Sequence, residues 1–169
     1  GLLAPELSES IMHAARSVVD GKHDDQFVLD IFQTGSGTST NMNANEVIAG
    51  IANEQMTGTR GGRSPVHPND AVNMCQSSND VIPTAIHVAA YERLHKQLLP
   101  ALINLQTRLA DRAKEFDPVV KIGRTHLQDA VPIRLGQEFS GYATQVEHAV
   151  RRVERCGESL RDLPIGGTA

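Results

Sequence analysis

Apolar positions along the chain fall mostly at helical spacing, and the first such run is Ile11, Ala14, Ala15, Val18 and Val19. It predicts a helix from Ser8 to about Asp20, with Gly21 placed to end it. After Phe27-Val28-Leu29-Asp30-Ile31-Phe32 comes Gln33-Thr34-Gly35-Ser36-Gly37-Thr38-Ser39-Thr40-Asn41, small polar residues that cannot form a core. A second helical pattern covers Asn43 to Met56, with Val47, Ile48 and Ile51 on one side. Thr57 to Pro68 carries three glycines and two prolines and reads as loop.

From Thr84 to about Glu115 the pattern is helical again, with a stripe of Leu94, Leu98, Leu102, Leu105 and Leu109. At ~1.5 Å per residue such a helix approaches ~50 Å. Pro100 is expected to kink it and Asp117-Pro118 to end it. Leu135, Phe139, Tyr142, Val146, Ala149, Val153, Cys156 and Leu160 then alternate steps of four and three, a sustained heptad repeat. No segment shows a period of two. The expected fold class is therefore all-α, a long-helix bundle with a loop-rich helical N-terminal arm. Each long helix has more apolar surface than one neighbour can cover, so the chain is expected to oligomerise or to belong to a longer one. The loop Pro164 to Ala169 favours the second expectation.

Charge refines the division. Residues 1–76 hold four basic and nine acidic groups, whereas 77–120 hold five of each. A domain boundary is placed near Gln76, giving 1–76 and 77–169. The whole chain of 169 residues has net charge -4 and 4% aromatics. No basic excess or stacking platform points to nucleic acid, and no stretch reads as a membrane span or signal peptide. Cys75 and Cys156 make neither a disulfide framework nor a zinc pattern, which fits a reducing compartment. The seven histidines show no close metal-ligand spacing.

Four polar segments carry candidate chemistry. Gly35-Ser36-Gly37-Thr38 lacks the Gly-Lys-Ser/Thr of a phosphate loop and the spacing of a dinucleotide fingerprint. It is either a helix cap with a flexible lead-in or a carboxylate-binding helix start. His67-Pro68-Asn69-Asp70 reads by itself as a polar turn. Ser77-Ser78-Asn79-Asp80 offers more small donors than one cap needs, which leans toward anion binding. Lys121-Ile122-Gly123-Arg124-Thr125-His126-Leu127-Gln128-Asp129-Ala130 is the densest group, with Thr125 and His126 expected between helices. His126 suits proton transfer near neutrality. Alternatively Arg124 and Asp129 form a structural ion pair and His126 is filler.

Together, from about Phe27 to Ala169, these segments resemble the class II fumarase branch of the fumarase/aspartase superfamily. Gln33 to Thr38 with Asn41 to Val47 resembles the family's first substrate segment, and Ser77-Ser78-Asn79-Asp80 its second. His67-Pro68-Asn69-Asp70 is similar to its accessory dicarboxylate site, and Gly123 to Ala130 to its Thr-His segment. Aspartases tend to carry Thr-Gln in place of Thr125-His126, Ser-Thr-Asn in place of Ser77-Ser78-Asn79, and Gly-Gly-Ala-Gly-Thr in place of Thr34 to Thr38.

The resemblance implies reversible hydration of fumarate to L-malate through an aci-carboxylate, with no metal or organic cofactor. It implies that Ser36, Gly37, Thr38, Ser77, Ser78, Asn79 and Thr125 bind substrate. His126 would orient or relay protons through a water, and His67, Pro68, Asn69 and Asp70 would form the accessory site. It also implies a homotetramer with shared active sites and a twenty-helix bundle, in the cytoplasm or, in a eukaryote, the mitochondrial matrix. The family's Gly-Ser-Ser-x-Met-Pro-x-Lys-x-Asn loop, which supplies the Ser base, is absent from these residues. The other readings are aspartate ammonia-lyase and a non-catalytic helical scaffold.

Overall fold

The computed structural model describes residues 2–166. Its elements are α1 (Pro5–Val19), a 3-10 turn (Asp24–Gln26), α2 (Thr38–Thr57), a π turn (Pro68–Val72), α3 (Ser78–Arg93), a second π turn (Leu94–Leu98) and α4 (Leu99–Glu115). A hairpin of β1 (Val120–Thr125) and β2 (Gln128–Arg134) follows, and then α5 (Leu135–Ser159). The helical class and the long helices are as expected. The hairpin is an addition that helical periodicity does not announce. Two compact units are present. One runs through Ala85 and takes in residues 164–166, and the other is Ile86–Leu163.

In the first unit, α1 and α2 approach through small residues. Ala14, Ala49 and Ala52 are almost wholly buried, and Ile51, Val66 and Ala71 complete the core. Leu3, Leu7, Ile11, Val18, Val47, Ile48 and Val72 pack around them. The loop after α2 is held by a side chain rather than by helix or sheet. Asn53 is 0% exposed. Its Oδ1 accepts the Val66 N–H at 2.7 Å, and its Nδ2 donates to the carbonyls of Val66 at 3.0 Å and Gly62 at 3.3 Å. One buried amide thus satisfies the two buried backbone groups of Val66, which would otherwise be orphaned, and reaches the Gly62 carbonyl as well.

In the second unit, α4 packs lengthwise against α5. The buried positions of α5 are Gly136, Ala143 and Gly157, small residues a whole number of heptads apart. A Cβ on Gly136 would sit 2.4 Å from the Ala113 carbonyl oxygen. The large residues of the expected stripe lie beside this seam, and Tyr142 is 47% exposed. At Pro100 the structure shows a change of hydrogen-bond pattern. With no N–H, Pro100 cannot bond four residues back. The chain widens there into the π turn, with the Leu99 N–H reaching the Leu94 carbonyl. On the surface, the Lys96 ammonium bonds the Glu92 carboxylate at 2.6 Å and holds it below the usual carboxylate range.

β1 and β2 pair antiparallel from Val120↔Arg134 to Thr125↔Gln128, with a register shift between Ile122 and Arg124. Gly123 occupies the irregularity, where a Cβ would lie 2.8 Å from the Val131 carbonyl oxygen. A two-stranded ribbon has two edges, so Pro132 is tolerated in β2. Lys121 Nζ meets Glu138 Oε1 at 2.6 Å and ties the hairpin to the first turn of α5.

Candidate functional site

The first unit brings the Ser36–Thr38 segment and the Ser77–Ser78 segment together. Thr34 to Gly37 forms a tight turn, the Gly37 N–H bonding the Thr34 carbonyl at 2.9 Å. Gly37 then caps α2 in the left-handed region, with φ +69 and no side-chain cap bond. That backbone suits glycine. The space does too, since a Cβ at Gly37 would lie 2.4 Å from Ile82 Cγ2. The first turns of α2 and α3 can therefore approach closely only because residue 37 has no side chain.

This approach gathers three hydroxyls. Ser36 Oγ is 3.0 Å from Thr38 Oγ1, and Thr38 Oγ1 is 3.5 Å from Ser78 Oγ. Ser36 and Thr38 are exposed and Ser78 is half-buried. The capping alternative for this segment therefore holds at Gly37, while the Ser36 and Thr38 hydroxyls take no part in the cap. Ser77 behaves differently, because its Oγ accepts the Asn79 N–H at 3.3 Å as a helix cap does. Ser77 thus satisfies the cap, and Ser78 is left beside Thr38. The starts of α2 and α3 both present first-turn amides and positive dipole ends. Rotatable hydroxyls at such a place can donate to an anion.

Behind the hydroxyls lies an asparagine cluster that motif reading passes over. Asn41 and Asn45, both buried on α2, donate to Asn73 Oδ1 at 3.1 Å and 3.0 Å. Its only sequence signal is the run of asparagines one turn apart on α2.

His67-Pro68-Asn69-Asp70 forms the entry to the first π turn. Pro68 is fully buried, so its side chain belongs to the core. His67 Nδ1 accepts the Asp70 N–H at 3.2 Å, which makes His67 the cap of this turn. In a protonated imidazole the same nitrogen can turn to the Asp70 carboxylate at 3.3 Å. Asn69 and Asp70 are exposed.

Thr125 and His126 lie in the second unit, between α4 and α5 as expected, at the tip of the hairpin. Thr125 pairs with Gln128, and the two residues between them, His126 and Leu127, have φ 50 and φ 63. Positive φ at both central positions is the type I′ geometry, which ordinarily selects Asn and Gly. A γ-branched leucine there, 94% exposed, gains no packing in return. Such strain is characteristic of functional turns. Arg124 and Asp129, paired across the hairpin, form the expected ion pair at 3.3 Å. His126 takes no part in that pair. Among the described residues no group of three or more His, Cys, Asp or Glu is placed to hold a metal ion, and no helix is long and apolar enough to cross a membrane.

A family model described as lyase matches residues 1–169. The chain belongs to the lyase family. Among its relatives is the class II fumarate hydratase of Methylorubrum extorquens, 56% identical over 100% of this chain and 36% of that protein. The class II fumarate hydratase of Mycobacterium tuberculosis is 57% identical over 100% of this chain and 34% of that protein. The lyase fold is equally plain. The crystal structure of recombinant class II fumarase from Schistosoma mansoni superposes with a TM-score of 0.88 at 47% identity, covering 100% of this chain and 35% of that one. The native crystal structure described as fumarate lyase:delta crystallin from Brucella melitensis gives 0.87 at 44% identity, over 98% and 38% of the two chains. This lyase chain spans about a third of the length of these relatives.

Proposed function

We propose that the protein containing this chain is a fumarate hydratase of class II, interconverting fumarate and L-malate. The observation that carries the proposal is the Ser36–Thr38–Ser78 hydroxyl group at the starts of α2 and α3, in a lyase chain more than half identical to proteins of that name. Malate dehydration removes a proton from the carbon next to one carboxylate and expels the hydroxyl, protonated to water, from the neighbouring carbon. The electron pair left by the proton first resides on that carboxylate as an aci form with two negative charges. It then forms the new double bond as the hydroxyl departs. Donors aimed at those oxygens bind the aci form more tightly than the substrate, which lowers the barrier.

In this reading Ser36, Thr38, Ser78, Asn79 and Thr125 donate to substrate oxygens. Ser77 and Gly37 act through the backbone, one as the cap of α3 and the other as the spacer at α2. His126 orients a water or relays the proton. The base is supplied by a segment outside these 169 residues. Asn69 and Asp70, on the turn capped by His67 and rooted by Pro68, form the accessory dicarboxylate site. Residues 1–76 end an N-terminal lyase domain, and 77–169 begin a central bundle that assembles as a homotetramer with shared sites. A cytoplasmic enzyme without metal or organic cofactor fits this chemistry.

The test supplies the full-length protein separately with L-malate and L-aspartate. Fumarate formed from malate alone supports the reading. Fumarate from aspartate alone makes it an ammonia-lyase, and turnover of neither makes it a scaffold. The 169-residue chain by itself is expected to be inactive for want of the base, and robust malate turnover by it would contradict the assignment.

A further inference from the structure

Asn73 stands between the His67–Asp70 and Ser77–Asp80 segments and belongs to neither. Its backbone N–H closes the π turn of Pro68–Val72 onto the Pro68 carbonyl at 2.9 Å, and its carbonyl accepts the Gln76 N–H at 3.0 Å. Its side chain is shared between two elements. Oδ1 accepts from Asn41 Nδ2 at 3.1 Å and Asn45 Nδ2 at 3.0 Å, and Nδ2 donates to the Gln76 carbonyl at 3.5 Å. Asn41 and Asn45 are 9% and 7% exposed, so those bonds form away from water, where losing the acceptor strands two buried donors.

We propose that Asn73 is a positioning residue that sets Ser77 and Ser78 against Thr38. Thr38 and Asn41 share the first turn of α2. The path from Asn41 through the Asn73 carboxamide to Gln76 is therefore a side-chain tie between that turn and the residue before Ser77. The chain between Asn73 and Ser77 needs such a tie, because Cys75 holds φ 59, a left-handed backbone that strains a non-glycine residue. Ser77 in turn receives the N–H groups of Asn79 through Oγ and of Asp80 and Val81 through its carbonyl, at 3.3, 3.1 and 2.9 Å. Placing Gln76 thus places the start of α3. The kinetic side of this inference rests on the fumarate hydratase reading.

The test compares Asn73→Ala and Asn73→Asp in the full-length protein, by malate kinetics and by amide hydrogen exchange. A carboxylate still accepts from both asparagines, with charge assistance, while alanine accepts from neither. For Asn73→Ala, KM is expected to rise about threefold and kcat to fall about threefold, because the displaced donors hold both the substrate and the aci form. Exchange at Asn79, Asp80 and Val81 is expected to quicken about tenfold, with the α1–α2 core unchanged. Asn73→Asp keeps the acceptor for Asn41 and Asn45 but has no N–H to give the Gln76 carbonyl, so it is expected to recover only part of each effect. Unchanged KM and local exchange, or exchange that quickens evenly through the unit, would overturn the proposal. If Asn73→Ala fails to fold, Asn45→Ala removes one donor and leaves Asn73 in place. It is expected to raise KM by up to about threefold, and an unchanged KM there would equally overturn the proposal. If the unaltered protein turns over no malate, the enzymatic reading fails while the exchange comparison still decides the role of Asn73.

Discussion

Replacing Gly37 with alanine tests the geometry of the hydroxyl cluster at its narrowest point. Two costs add. A non-glycine residue at φ +69 is strained by about 1–2 kcal/mol. The new Cβ would also lie 2.4 Å from Ile82 Cγ2 and 2.8 Å from Ile82 Cβ and Cγ1. Carbon atoms rest at about 3.5–4.0 Å, so one helix start must retreat by about 1 Å, an overpacking cost of about 1–3 kcal/mol. The expected loss of stability is about 2–5 kcal/mol by urea unfolding, on the two terms together.

The same displacement parts Thr38 from Ser78. An error of about 1 Å in such a group is worth about a hundredfold in rate, so kcat/KM for malate should fall by about that factor. Two companions sharpen the reading. Gly35 has open space around its Cβ position, so Gly35→Ala is expected to change stability by less than about 0.5 kcal/mol. Ile82→Ala removes the 2.4 Å contact but keeps the one to Cβ, so combining it with Gly37→Ala should return about 1 kcal/mol as coupling energy. Full stability of Gly37→Ala, or strict additivity with Ile82→Ala, would refute the close-approach argument.

Three further outcomes follow from particular side chains. His126→Asn in the full-length protein keeps a residue type that accepts the left-handed turn. It is expected to lower kcat by about 10²–10⁴-fold with little change in unfolding, and unaltered turnover would remove His126 from the mechanism. Asn53→Ala leaves the buried N–H and C=O of Val66 without partners. A loss of about 2–5 kcal/mol is expected by denaturant titration, and a loss under about 1 kcal/mol would show that water replaces the amide. Leu127→Gly relieves strain of about 1–2 kcal/mol and adds about 0.5–1 kcal/mol of chain entropy. The hairpin should therefore be equally or slightly more stable, and a clear loss of thermal stability would show that the exposed leucine packs in the assembled protein.

The helices were legible because their apolar positions recur over long spans. The change of hydrogen-bond pattern at Pro100 follows from a missing N–H, although the π turn that absorbs it was not legible. The hairpin was not legible for three physical reasons. Gly123 interrupts the alternation with an irregular register, Pro132 reads as a breaker, and His126-Leu127 lacks the Asn-Gly chemistry that signals a type I′ turn. Among the candidate residues, the proximity of Ser36, Thr38 and Ser78 agrees with their motifs. The structural tasks of Ser77, Gly37 and Pro68 required coordinates, because a cap, a spacer and a buried ring look like ligand contacts in a one-dimensional motif. Asn53 and Asn73 were invisible for a related reason. An asparagine in a helix or loop is usually a surface residue or a turn former, and only long-range partners reveal one that ties loops to a core.

Thr38 offers the most direct test of the whole account, since valine keeps its shape and removes only the hydroxyl. In the full-length protein, with fumarate formation from L-malate followed by absorbance, Thr38→Val is expected to lose about 10²–10³-fold in kcat/KM at an unchanged unfolding midpoint. Malate turnover equal to that of the unaltered protein would contradict the claim that these hydroxyls hold the reacting dicarboxylate.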